Sequence, residues 1–161
     1  MTMELTRENL LQGLASEIRS PSGPGNFTKA FNEALIAQFR ASGGQLTGDF
    51  AAAEFLLLTT TGAKSGRRRT TPLAYVALDG RILIIASRGG APQSPAWYFN
   101  LIANPEVTVE LGEETYQAKA VELKGADRDD SYAEIARRLP TFAEYQSRTD
   151  RIIPVVELRR L

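Results

Sequence analysis

Four cations crowd a glycine turn at residues 62–69, Gly62-Ala63-Lys64-Ser65-Gly66-Arg67-Arg68-Arg69, set between two runs of β-forming residues. Glycine accepts positive φ and lets backbone amides come close to an anion. Lys adds a point charge, and Arg a two-pronged planar donor for phosphate or carboxylate. The spacing is not that of a Walker loop, which needs G-x-x-x-x-G-K-[ST]. A hairpin turn kept polar for solubility has the same composition, so the turn alone does not choose between a bound anion and water. A nucleic-acid backbone is the weaker option, because few aromatic residues accompany the cations to stack bases.

A second stretch, ASRGGAPQSPAWYFNLIANP (86–105), carries chemistry of another kind. A strand ends at Ser87, Arg88 adds charge, and Gly89-Gly90-Ala91 leaves the backbone bare. Trp97, the only tryptophan, follows near the first turn of a short helix, with Tyr98 and Asn100 beside it. Helix N-termini attract anions, bare backbone admits a flat ligand, and Trp offers an apolar wall. Trp97 and Tyr98 would serve equally as core anchors, the common use of aromatics. Together the two stretches suit a ligand with a charged tail and a flat ring, a flavin-like nucleotide or a deazaflavin.

The totals agree. The 161 residues hold no cysteine and no histidine, which removes disulfides, thiolate catalysis, the commonest general base and the commonest metal ligands. Hydride chemistry belongs to a cofactor that a protein need only orient, so it survives that exclusion. Formal net charge is zero, yet residues 62–104 carry six basic residues against Asp79 alone, a net +5. Such a chain is poorly suited to coat DNA or an anionic membrane, and well suited to hold one small polyanion. No apolar run approaches the ~20 residues of a membrane span. The first residues lack the pattern of a secretory signal, so a cytoplasmic protein is expected.

The elements that must position these stretches follow from periodicity. ELTRENLLQGLASEIR (4–19) has helical spacing, and the breaker cluster SPSGPGN (20–26) follows it. Residues 1–26 are therefore expected to form a helical arm ahead of a domain over 27–161. Phe27, Phe31, Leu35 and Phe39 recur four apart in a helix that stops at Gly43-Gly44. Strands are expected over 55–61, 69–79 and 81–87, the last two joined by the hairpin signal Asp79-Gly80. A helix over 94–105 would be capped by Ser94, with Pro95 at its first position and Asn104-Pro105 as its stop. A hairpin over 107–123 turns at Gly112-Glu113-Glu114, a charged helix spans 126–139, and a last strand closes the chain. Hairpin connections argue for α+β, mainly β: an antiparallel sheet closed or half-closed into a small barrel with peripheral helices.

At these residues the sequence resembles the deazaflavin-dependent nitroreductase and quinone reductase family, split β-barrels related to flavin-binding oxidases. TTTGAKSGRRRTTPL, IIASRGGAPQSPAWYFNLIANPEVTV and YQSRTDRIIPVVEL match the family's signature stretches in order, over roughly residues 55–158. The resemblance implies coenzyme F-420 as cofactor, with FMN as the alternative, and hydride transfer to a quinone, nitroaromatic or activated alkene. It implies cofactor contacts from Lys64, Ser65, Gly66, Arg69, Pro72, Ser87, Arg88, Gly89, Gly90, Ala91, Trp97, Tyr98 and Asn100. Tyr145, Phe142 and Ala74 would line the acceptor site. The family has tyrosines there, whereas this chain has Leu139, Phe142 and Ala74 at such positions. The implied partner is a small-molecule electron acceptor, with neither nucleic acid nor metal. A homodimer and a weak contact of the N-terminal helix with the inner face of the membrane are the associations left open.

Overall fold

The structure, a computed structural model, describes residues 26–45 and 54–161. The helix expected over 4–19 and most of the stretch 45–54 lie outside the described residues. The helix α1 spans Asn26–Ala41. Then come β1 (Phe55–Thr61), β2 (Arg68–Ala74), β3 (Val76–Leu78), β4 (Arg81–Ile85), a single 3-10 turn (Arg88–Gly90) and α2 (Ala96–Ala103). They are followed by β5 (Glu106–Leu111), β6 (Glu114–Glu122), α3 (Gly125–Arg138), α4 (Pro140–Ser147) and β7 (Val155–Arg160).

Among the described residues, seven strands form one sheet in the order β2-β1-β5-β6-β7-β4-β3, and every pairing is antiparallel. The two edge strands of that order, β2 and β3, are consecutive in the chain with only Tyr75 between them. Neighbouring Cα atoms are ~3.8 Å apart, so the two edges cannot be distant and the sheet must curl on itself. One descending run thus pairs first with β1 and then with β4: the Tyr75 amide still donates to the Glu54 carbonyl, and Val76 already faces Leu83. The result is the expected antiparallel half-closed barrel. The strand expected over 69–79 is broken at Tyr75 because the chain changes partner there.

Alternation along the strands divides the apolar residues between two cores. Leu56, Leu58, Ile84, Val107, Val109, Ala118, Ala120, Val156 and Leu158 fill the barrel, where Trp97 and Leu101 of α2 join them. The residues next to them in sequence, Leu83, Ile85 and Val155, face outward and are covered by Tyr132 and Ile135 of α3. Leu57 also faces outward and is fully buried, across from Glu110, whose carboxylate receives Arg40 of α1 at 2.9–3.0 Å. The Asp79-Gly80 hairpin forms with φ of 53° and 75°, the paired positive values of a type I′ turn.

Candidate functional site

Strand direction decides where the two chemical stretches meet. The sheet passes through four antiparallel steps from β1 to β4, so these strands run the same way and finish at the same end of the barrel. There β1 leads into the basic turn and β4 into the loop 86–94. At that end β6 also leads into α3, and β5 and β7 begin. The turn, the glycine loop, the start of α2 and the segment before β7 therefore share one end.

The basic turn is closed by its own bonds. The Gly62 amide donates to the Arg67 carbonyl at 2.8 Å, and the Gly66 amide to that of Gly62 at 3.0 Å. Ser65 Oγ accepts the Arg67 amide at 3.1 Å, so this hydroxyl builds the turn. Gly66 takes φ +69°, and all of residues 63–69 are exposed. Register separates the arginines. Arg68 lies on the outer face and donates to Thr108 Oγ1 at 2.6 Å, whereas Arg69 pairs with Thr60 on the barrel-lining face. None of Lys64, Arg67, Arg68 and Arg69 has a carboxylate partner among the described residues, although eight ion pairs form elsewhere.

Helix α2 ties this turn to the glycine loop. Asn100 Oδ1 accepts the Ala63 amide at 3.0 Å and its Nδ2 donates to Thr60 Oγ1 at 3.2 Å. Asn100 stands one helical turn, ~6 Å of rise, beyond the start of α2 where the loop ends. Its amide group is occupied in clasping turn to helix. Trp97 is only 7% exposed and belongs to the barrel core, supporting the site from behind. The Tyr98 hydroxyl donates to Glu122 Oε1 at 2.6 Å; burial and then this bond push the phenol up to about 12.

The loop itself folds back through Arg88, Gly89 and Gly90, with φ of 45°, 64° and 84°. The Gly90 amide donates to Ser87 and the Ala91 amide to Arg88, at 2.9 and 3.1 Å. Ser87 and Ala91 are buried. Helix α4 packs directly on this turn: a Cβ on Gly90 would come within 2.5 Å of the Tyr145 carbonyl oxygen. Tyr145 and Phe142 meet edge-on with centroids 5.7 Å apart, and both pack against the outer core of Leu83, Ile85 and Val155. The Tyr132 hydroxyl donates to the Phe142 carbonyl at 2.6 Å, whereas that of Tyr145 has no hydrogen-bond partner among the described residues. Burial pushes the Tyr145 phenol above its ordinary value, against the pull of Arg148.

Two expected residues are placed elsewhere. Pro72 is buried on the outer face opposite Leu57. Ala74 ends β2, five residues from Arg69 and so ~17 Å along the strand from the basic turn. Leu139, at 43% exposure, precedes α4. Ser94 does not cap α2: the helix starts at Ala96 with Pro95 as its cap residue, and Ser94 Oγ accepts a guanidinium N–H from Arg151 instead.

Arg151 is the residue that sequence reading missed. Its Nε donates to the Ala91 carbonyl at 2.8 Å, and its Nη2 to those of Ala86, Ser87 and Gln93 at 3.2, 2.9 and 3.4 Å. With Nη1 on Ser94 Oγ at 3.1 Å, one side chain gathers the whole loop. Burial lowers its affinity for its proton. In the sequence Arg151 stands within the signature stretch YQSRTDRIIPVVEL, where no role is assigned to it.

Comparison with known proteins agrees with this fold and gives the family. The family model described as F420H(2)-dependent quinone reductase matches residues 33–159. The F420H(2)-dependent quinone reductase Rv1261c of Mycobacterium tuberculosis is 44% identical over 110 residues, covering 65% of this chain and 72% of that protein. A solved F420-H2 dependent reductase, FDR-A, superposes with TM-score 0.60 at 43% identity, over 66% of this chain and 94% of its own. The heme storage protein HutZ of Vibrio cholerae, at 16% identity and TM-score 0.52 over 80% of this chain and 89% of its own, shares the fold alone. The chain belongs to the F420H(2)-dependent quinone reductase family.

Proposed function

We propose that this chain passes a hydride from reduced coenzyme F-420 to a quinone, with nitroaromatics and activated alkenes as acceptors of the same electron-poor kind. One observation carries the reading. A basic turn whose cations have no carboxylate partner among the described residues shares an end of the barrel with a bare-backbone loop. The donor set fits the group: Lys64 and Arg69 match a phosphate and carboxylate tail, and Ser87 to Ala91 a flat ring. When bound, the reduced deazaflavin supplies a hydride, two electrons at once, from C5 of its ring.

The chain's own part is to bind, orient and exclude water. Asn100 holds the basic turn at a fixed distance from the loop, and Trp97 stiffens the helix between them. Phe142 and Tyr145 provide the apolar side against which an acceptor is held. A quinone that takes a hydride needs one proton to become a quinol. Tyr145, a phenol protonated at neutral pH in any case and without a hydrogen-bond partner among the described residues, on the helix whose backbone packs against the glycine turn, is the group this reading assigns to donate it. Pairing of two copies is supported by a relative solved as a domain-swapped dimer, 38% identical with TM-score 0.62 over 79% of this chain and 93% of its own.

Titration of the purified protein with F-420 and with FMN, followed by Trp97 fluorescence, tests the cofactor. Saturable quenching by F-420 and turnover of a soluble quinone are expected. Quenching by FMN alone would transfer the site to a flavin chemistry, and binding of neither would remove the reductase reading.

A further inference from the structure

We infer that Arg151 is the positioning residue of the hydride-transfer geometry, a role that rests on the reading above. Among the described residues its guanidinium touches no acceptor outside the loop: its hydrogen bonds run to four backbone carbonyls and one hydroxyl between Ala86 and Ser94. Those carbonyls come from both sides of the left-handed turn Arg88–Gly90, so the fork fixes the turn's entry and exit together. The Ala86, Ser87 and Gln93 carbonyls that point at Arg151 turn the N–H groups of Ser87, Arg88 and Ser94 the other way, whereas Ala91 precedes Pro92 and brings none, and this sets the face the loop offers to a flat ligand. Only a planar, five-donor group reaches acceptors spread this widely; a lysine ammonium has three donors at one point.

Arg151 is itself held by a second tier. Gln146 Nε2 donates to the Arg151 carbonyl at 2.7 Å, and Gln146 Oε1 accepts the Ile153 amide at 3.1 Å and Arg128 Nη2 at 2.9 Å. Arg128 also donates to the Ile153 carbonyl from Nε and Nη2, at 3.1 and 2.8 Å. Helices α3 and α4 thereby set the backbone from which Arg151 reaches the loop. The cofactor's charged tail is assigned to a different segment, the turn at Lys64. Removal of Arg151 is therefore expected to disturb orientation far more than affinity.

The test pairs Arg151→Lys and Arg151→Ala with Ser94→Ala, which removes one acceptor of the fork and leaves the rest of the chain intact. Amide hydrogen exchange is measured on cofactor-free protein, then F-420 affinity by Trp97 fluorescence, then kcat and KM for a quinone. Arg151→Lys should expose residues 86–94 to faster exchange while the barrel strands stay protected. F-420 affinity should fall less than about threefold, and kcat by ~100-fold, the cost of an ångström-scale misplacement. Millimolar guanidinium should restore part of kcat in Arg151→Ala, and Ser94→Ala should speed exchange at the amides of residues 93 and 94 alone with a smaller loss of kcat. Unchanged exchange and kcat in Arg151→Lys would overturn the assignment. So would an unfolded Arg151→Lys together with a Ser94→Ala protein that matches the wild type in both. Exchange is read without cofactor, so wild-type protein that fails to bind F-420 would sink the reductase reading separately.

Discussion

Single side chains at the site divide into those that meet a ligand and those that hold others in place. Lys64 is exposed, makes no ion pair among the described residues and contributes nothing to the core. Lys64→Ala should leave the melting temperature unchanged and weaken F-420 binding about tenfold, the effect of ~1.4 kcal/mol; the loss should shrink at high salt. Unchanged affinity would detach the turn from the cofactor. Asn100 behaves oppositely. Asn100→Ala removes both bonds of the clasp and should cost about 1–2 kcal/mol of stability, since a typical hydrogen bond contributes ~1 kcal/mol net. Asn100→Asp keeps the acceptor for the Ala63 amide and loses only the donor to Thr60. Its denaturation midpoint should fall between those of Asn100→Ala and the wild type, and equal midpoints for the two variants would mean that the Ala63 bond contributes nothing.

At the scale of elements, the close approach of α4 to the loop is what the glycines distinguish. Gly90 has φ +84°, and a Cβ there would meet the Tyr145 carbonyl oxygen at 2.5 Å, a backbone atom that cannot rotate away. Gly66 has φ +69°, and a Cβ there would meet no atom of the described residues within 4 Å beyond its chain neighbours. Gly66→Ala should therefore cost only the left-handed strain of about 1–2 kcal/mol. Gly90→Ala adds the displacement of α4 and should destabilise clearly more, with Tyr145 moving away from the loop. Urea denaturation of both variants measures the difference, and equal losses would refute the packing of α4 on the turn. This contact could not be read from the sequence, where GG after a strand signals only bare backbone. Hairpins, by contrast, were legible, because Asp79-Gly80 and Gly112 sit between runs rich in β-branched and apolar residues. The start of α2 was misread: Ser-Pro before an aromatic run looks like a cap, but a guanidinium from 57 residues away takes the serine hydroxyl.

For the whole molecule, barrel closure and the burial of tyrosines between layers have a consequence for pH. Closure was legible only as a class, since no local signal announces that one strand changes partners at Tyr75; it follows from β2 and β3 being the two edges of one sheet. That closure brings α2 and α3 onto opposite faces of the sheet, and each carries a phenol whose proton is held tightly. Tyr98 and Tyr132 are both pushed up to about 12, mainly by burial. Unfolding returns each to about 10. Between those values the folded chain binds more protons than the unfolded one, so stability falls as pH rises. Their contribution is fully present below about pH 10 and is lost as pH climbs through about 12. Melting temperatures should therefore hold steady up to pH 9 and decline steeply beyond pH 10. Tyr98→Phe lowers stability at pH 7, because the Glu122 bond is lost, yet makes the alkaline decline shallower, because one of the linked protons is gone. Parallel melting curves for variant and wild type from pH 8 to 11.5 would show that Tyr98 ionises alike in both states, and the half-buried phenol between α2 and β6 would then have to be wet.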